Sequence, residues 1–260
     1  MTRAVILAAG EGTRLRPLTE QLPKVLVPLA GHTLLERQRG VLARAGIHDV
    51  HLVTGHAADR LAASGLPAFH NPRFATTNMV ASLLCAQSLF DGGDDVLVAY
   101  GDIVYQPHVL AAVLGAGGPL AVAVDQGWHR LWALRMDDPL ADAESMRIDD
   151  SGHILELGRR AADVASIQGQ YIGLFKVARS FAPQFFQPLL DMAPDAVLEG
   201  RPRDRIFMTA YLQQHIDRGV PVRAACFRHG WLEIDSLDDL RRYQQALQQG
   251  TLTGLYDPQA

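Results

Sequence analysis

The chain has 260 residues, 48% of them hydrophobic, and 24 Lys and Arg stand against 28 Asp and Glu for a formal net charge of −4. That length supports one large α/β domain without disulfide or metal staples, and the slightly acidic balance with dispersed basic residues argues against a nucleic-acid surface. No uncharged apolar run approaches the roughly 18 residues of a membrane span, and the first residues enter a strand without a leader-like segment, so a cytoplasmic protein with small-molecule partners and no membrane association is expected.

The first predicted element is a strand, Ala4-Val5-Ile6-Leu7, which opens into Ala8-Ala9-Gly10-Glu11-Gly12-Thr13-Arg14-Leu15-Arg16-Pro17-Leu18-Thr19, with Pro23-Lys24 close behind. Residues 33–45 carry apolar side chains at helical spacing and stop at Gly46, and residues 50–54 form a buried strand, completing a β-α-β unit. A short strand at 66–70, a helix at 77–90 capped by Thr76 or Thr77, a strand at 95–100, a helix at 107–114 and a strand at 120–124 follow. From about Trp128 the pattern changes. Residues 146–149 and 153–157 around Ser151-Gly152 make an expected hairpin, and residues 169–176 a further strand. Helices at about 179–192 and 205–218, a strand at 221–226 and a last helix capped by Ser236, with Asp239 completing an S-x-x-D start, close the order. The tail after Gly250 has little periodicity and is expected as an extended surface segment or a contact with another subunit. Cys85 and Cys226 sit in apolar contexts and are expected as reduced core residues, and the ten histidines show no metal spacing.

The glycine-rich loop is the chemical centre of the sequence. Gly10 and Gly12 with Ala8 and Ala9 remove side chains where backbone N–H groups of residues 7–13 (Leu7, Ala8, Ala9, Gly10, Glu11, Gly12, Thr13) would approach a triphosphate, and Arg14 and Lys24 add permanent positive charge. A dinucleotide fingerprint would need a third glycine where Leu15 stands, and a P-loop would need Lys after its second glycine, so both patterns fail. Ligands of parallel sheets lie outside the C-terminal strand ends, so the loops after Leu7, Thr54, Tyr100 and Val124 should line one crevice. Two aspartates stand at such ends: Asp102 after Tyr100-Gly101, and Asp235 in Trp231-Leu232-Glu233-Ile234-Asp235-Ser236. Locally, one is equally well a turn carboxylate and the other a helix cap, but beside a triphosphate two carboxylates suffice for Mg²⁺.

The string L-A-A-G-x-G-x-R-L-x-P-L-T with P-K resembles the signature of sugar-1-phosphate type nucleotidyltransferases. The resemblance implies a nucleotidyltransferase fold, GT-A-like: a Rossmann-like mixed, mostly parallel sheet flanked by helices with a small β-rich substrate lobe. Residues 1–260 would then form one domain, with a nucleotide-binding core at 1–125, the substrate lobe at 126–178 and C-terminal helices carrying the metal aspartate at 179–250. Asp102 and Asp235 match the family's metal-binding positions, which implies Mg²⁺ there.

Asn71-Pro72-Arg73-Phe74 and Thr77-Asn78-Met79-Val80-Ala81-Ser82-Leu83 are similar to the phosphocholine and phosphonate cytidylyltransferase-like branch, and the G-T-A-x-A motif of sugar nucleotidyltransferases is absent. The resemblance therefore implies CTP as donor and a small phosphorylated or phosphonate acceptor such as phosphocholine, with Thr77, Asn78 and Ser82 near the base and Gly101 at the nucleotide. Thr77 serves nearly as well as a helix cap, and Asn78 less well. Arg14 and Lys24 would neutralise the phosphates in an in-line attack that needs no strong general base. For the acceptor, Trp128, Trp132, Tyr171 and Trp231 offer aromatic faces to a quaternary ammonium, Glu144, Glu156 and Gln170 offer polar contacts, and Arg130 would suit a more anionic acceptor. A sugar-1-phosphate nucleotidyltransferase and a non-catalytic nucleotide-sensing homologue are the competing readings. Such proteins often form homo-oligomers, and the sequence marks no dimer face.

Overall fold

Residues 1–193 and 195–259 are described by the computed structural model of the chain. Its central sheet has seven strands: β1 (Thr2–Ala8), β2 (Val50–Thr54), β3 (Ala68–His70), β4 (Asp95–Tyr100), β5 (Leu120–Asp125), β6 (Gln170–Val177) and β7 (Val222–Phe227). They lie in the order β7-β5-β6-β4-β1-β2-β3. All neighbours run parallel except β6, which is antiparallel to both β4 and β5. The sheet is therefore mixed and mostly parallel, as the sequence predicts. β5 is buried at every residue and β4 from Val96 to Ala99, the continuous apolar run of a strand covered on both faces.

The helices are α1 (Leu34–Arg44), α2 (Met79–Leu84), α3 (Pro107–Gly115), α4 (Trp128–Arg135), α5 (Gln187–Leu190), α6 (Met208–Asp217) and α7 (Leu237–Gln248). Two start on full capping boxes, Thr33 with Glu36 for α1 and Ser236 with Asp239 for α7, and the second is the S-x-x-D start read from the sequence. α2 is much shorter than the predicted 77–90 helix. Asn78 caps it, rather than Thr76 or Thr77, and after Leu84 the chain turns so that Phe90 packs edge-on at 4.8 Å against Phe186 and stacks at 5.3 Å on Phe185. Burial of these rings overrides helix propensity there. The predicted 179–192 helix is broken into a turn at Ala182–Gln184 and the single turn of α5, with Pro183 and Pro188 at their starts, where a missing N–H is tolerated.

The segment 126–178 is divided in the fold. Its first part forms α4, an element absent from the predicted order. Its middle is the hairpin Glu144–Ile148 with Ile154–Arg160, and its last part is β6, a central strand of the main sheet. Both cysteines are exposed, which corrects their assignment to the core: Cys85 follows α2, and Cys226 lies on β7, an edge strand where alternate side chains face outward. The tail is also not an extended surface segment. Leu252, Leu255 and Tyr256 share one helical face and are buried, and the Leu255 carbonyl accepts from the Gly230 N–H at 2.6 Å. No helix among the described residues is long and apolar enough to cross a membrane.

Candidate active site

The glycine loop leaves the C-terminal end of β1 and is pinned by two residues to which the sequence reading gave no role, Thr19 and His56. Gly12 has φ 61°, the left-handed region that favours glycine. Thr19, fully buried, donates from its hydroxyl to the Gly12 carbonyl at 2.7 Å, while its own carbonyl lies 2.8 Å from Nε2 of His56. The His56 N–H in turn donates to the Ala9 carbonyl at 3.0 Å. The loop is thus tied to the end of β2 by a short chain of hydrogen bonds. Thr19 is the last residue of the glycine-loop motif, whereas no motif contains His56.

Beside this loop lies a cleft. Leu7, Ala8, Ala9, Gly10 and Lys24 form one wall; Thr77, Asn78 and Ser82 stand opposite; Gly101 and Asp102 close one end. Four further residues complete it without having been anticipated: Val25, Phe74, Met79 and Tyr100. Gly101 is required by packing, because a Cβ there would stand 2.5 Å from the Leu7 carbonyl oxygen. Asn71 organises the opposite wall. Its Nδ2 donates to Thr77 Oγ1 and Ser82 Oγ, both at 2.9 Å, and its Oδ1 accepts from the Arg73 N–H. Glu11, Gly12 and Thr13 belong to the loop but do not line the cleft.

Lys24 is the electrostatic centre. Its Nζ donates to Asp102 Oδ2 at 2.8 Å and to Asp235 Oδ1 at 2.7 Å. Burial alone would push this ammonium towards neutrality, but the two carboxylates outweigh it and hold Lys24 well above the usual lysine range. The two aspartates are far apart in sequence and meet through a strand pair: Trp231–Glu233 runs antiparallel to Ile103–Tyr105, and the Ile234 N–H donates to the Asp102 carbonyl at 2.9 Å. Asp102 Oδ1 is buried and has no hydrogen-bond partner. Arg14, 70% exposed, forms an ion pair from Nη1 to Asp235 Oδ2.

A second cavity adjoins the first, sharing Met79 and Tyr100 as its wall. Of the predicted acceptor residues, Trp132, Gln170 and Tyr171 line it, together with Glu144 and Trp231. Three do not. Trp128 is 3% exposed and packs edge-on against Trp132 at 5.7 Å, inside the core. Arg130 faces the tail and donates to the Gly254 carbonyl at 3.2 Å, because its position in α4 points away from the cavity. Glu156 pairs with Arg159 at 3.2 Å on the outer hairpin.

Gln170 is occupied structurally, its Oε1 accepting from the Glu144 N–H and its Nε2 donating to the Glu144 carbonyl. Glu144 is mostly buried, which pushes its carboxyl up to about 7. Trp231 is fixed by donating Nε1–H to Asp125 Oδ2 at 2.9 Å; Asp125 itself is fully buried and accepts from Gly127 and His229 amides. Asp142 and Glu233, not singled out for the site from sequence, add two more carboxylates to this cavity. Burial pushes the Glu233 carboxyl up, against the pull of Arg135 beside it.

A glycine loop at the end of the first parallel strand, a lysine clasped by two carboxylates and two contiguous cavities define a nucleotidyltransferase. The fold is shared with two solved structures: a CTP:phosphocholine cytidylyltransferase from Streptococcus pneumoniae (TM-score 0.71, 20% identity, 95% of this chain and 99% of that one) and an inositol-1-phosphate CTP transferase from T. maritima (TM-score 0.69, 21% identity, 99% and 98%). Residues 4–233 match the MobA-like NTP transferase domain, and the chain belongs to that family. A CTP:phosphoglutamine cytidylyltransferase from Campylobacter jejuni is 33% identical over 249 residues, covering 91% of this chain and 97% of the relative. A CMP-5'-(3-aminopropyl)phosphonate synthase from Streptomyces rubellomurinus is 31% identical over 254 residues, 93% of this chain but 36% of that longer protein.

Proposed function

We propose that this chain is a CTP-dependent cytidylyltransferase that joins CMP to a small phosphorylated or phosphonate acceptor and releases pyrophosphate. The observation that carries the reading is Lys24, on the lining of the first cavity with Asp102, clasped between Asp102 and Asp235. The relatives named above act on acceptors of this class and align over nearly the whole chain.

In this reading CTP occupies the cleft between the glycine loop and the Thr77–Asn78–Ser82 wall. Asn78 spends its Oδ1 on the Met79 N–H, so towards a base edge it acts as a donor, which suits the acceptor atoms of cytosine. Loop amides and Arg14 receive the β- and γ-phosphates. The triphosphate and Asp235 compete for Arg14, so binding of the nucleotide releases one oxygen of Asp235. Lys24 neutralises charge where the α-phosphate meets the acceptor oxygen.

Mg²⁺ is the cofactor this reading calls for, and the residues suit it: two hard carboxylates, one with an orphaned buried oxygen at Asp102 Oδ1. Asp102 and Asp235 would hold the ion, which when bound neutralises phosphate charge and orients the reacting groups. The attacking phosphate or phosphonate oxygen is already anionic, so the residues have only to align and neutralise.

The acceptor's body lies in the second cavity. Glu144, beside Trp132 and Tyr171, is the group that would meet a cationic amine on the acceptor. The setting for such a reaction is the cytoplasm. The test is pyrophosphate release with Mg²⁺, each of CTP, UTP, GTP, ATP and dTTP, and phosphocholine, 3-aminopropylphosphonate or glucose 1-phosphate. CTP with an amine-bearing acceptor should turn over fastest; preference for UTP or dTTP with glucose 1-phosphate would overturn the reading.

A further inference from the structure

Arg135 is the last residue of α4, and its side chain is 4% exposed. A guanidinium this deep must satisfy its donors on nearby oxygens, and Arg135 does so on two carboxylates that belong to different parts of the site. Nη1 reaches Glu233 Oε2 at 2.5 Å, on the wall of the second cavity. Nε and Nη2 fork onto Asp239 Oδ1 and Oδ2, at 3.0 and 3.5 Å. Asp239 Oδ2 then accepts the backbone N–H groups of Asp235 at 3.0 Å and Ser236 at 2.9 Å. One guanidinium therefore fixes the carboxylate that holds the turn carrying Asp235, and the same guanidinium is bonded to the acceptor cavity. The Trp132 ring, another wall of that cavity, lies 5.4 Å from the Arg135 carbon.

We infer that Arg135 is a positioning residue: through Asp239 it sets the place of the Asp235 carboxylate opposite Asp102, and through Glu233 it ties that placement to the acceptor cavity. The inference rests on the metal-binding reading of Asp102 and Asp235 given above. Arg135 touches neither Asp235's carboxylate nor Lys24 directly, so its effect must pass through the capped turn. Lysine at this position keeps the charge but cannot fork onto Asp239 while holding Glu233.

The experiment is an electron paramagnetic resonance titration of Mn²⁺ in the presence of CTP, on the unsubstituted 260-residue chain and on Arg135→Lys, Asp239→Asn, Asp235→Asn and the double variant Arg135→Lys/Asp235→Asn. CTP affinity in EDTA and thermal unfolding are recorded alongside. Arg135→Lys and Asp239→Asn should each weaken Mn²⁺ about tenfold or more while CTP affinity in EDTA stays within about twofold, and in the Asp235→Asn background Arg135→Lys should add nothing further. Wild-type Mn²⁺ affinity in both single variants overturns the inference, as does an additive effect in the double variant or a parallel loss of CTP affinity in EDTA. Failure of both single variants to fold at 25 °C also overturns it, since the role would then be that of a fold residue. A wild-type chain that binds no Mn²⁺ with CTP overturns the underlying metal reading and the Arg135 role together, whereas normal wild-type binding with unaffected variants removes only Arg135.

Discussion

Replacing Lys24 by Met leaves Asp102 and Asp235 facing one another without the cation that now separates them. At 2.7 and 2.8 Å, with an effective dielectric of about 20, each pairing is worth about 6 kcal/mol of Coulomb attraction before desolvation is charged against it. Loss of one partner from such a buried cluster typically costs about 3–5 kcal/mol, reduced here because the aspartates are 22% and 15% exposed and water can reach them. A loss of about 2–3 kcal/mol corresponds to a Tm drop of roughly 4–6 °C for a domain of this size. Mg²⁺ should restore part of it, since the ion is a better partner for two carboxylates than water.

The catalytic effect is separate. A preorganised charge at the reacting phosphate contributes about 10²–10³-fold in rate. Lys24→Met should therefore remain folded at 25 °C and lose kcat by that factor under saturating CTP and acceptor, followed by continuous pyrophosphate detection. Turnover within about threefold of wild type, with the Tm drop present, would refute the assignment of Lys24 to the chemistry and leave it a purely structural cation.

Asp102→Asn and Asp235→Asn should each lower turnover at least about 10²-fold and weaken Mg²⁺ binding in calorimetry with CTP present. Burial raises the Glu144 carboxyl from 4.5 to about 7, so the folded chain holds that proton more tightly than the unfolded one. Its contribution to stability is thus fully present below about pH 4.5 and is lost as pH rises through 7, by at most about 3–4 kcal/mol. Glu144→Gln should flatten urea-measured stability across that window, and in the wild type the KM for 3-aminopropylphosphonate should rise as pH falls below 7. Gly101→Ala must push the β1 backbone at Leu7 and should cost about 2–3 kcal/mol of stability together with CTP affinity, read by denaturation and calorimetry. Arg130→Ala and Glu156→Gln should leave kcat and KM within about twofold, because neither side chain lines a cavity.

Much of the first cavity's lining is legible in the sequence because it is built from short runs at strand ends. The Ala8-to-Thr13 loop, Lys24 and the Tyr100-Gly101-Asp102 strand end all lie where a parallel sheet presents its ligands. Asp235 is legible only by resemblance, since its meeting with Asp102 depends on the antiparallel pairing of Trp231–Glu233 with Ile103–Tyr105, two three-residue strands too short to show a period. The second cavity is less legible for a related reason. Trp128, Arg130 and Trp132 lie within five positions of one another, and only the rotation of α4 decides that Trp132 reaches the cavity while Trp128 is core and Arg130 faces the tail. The supporting roles are set by contacts in the fold: the Thr19 hydroxyl on the Gly12 carbonyl, the Asn71 amide on the Ser82 hydroxyl, Asp125 on the Trp231 indole N–H and Arg135 on Asp239, and no periodicity announces them.

The most direct test of the account is ³¹P NMR of the chain with CTP, Mg²⁺ and 3-aminopropylphosphonate. The account predicts a phosphonate–phosphate anhydride and an equal amount of pyrophosphate, both lost when EDTA is added. Consumption of CTP without the anhydride, or no consumption with this acceptor, phosphocholine or phosphoglutamine, would contradict it.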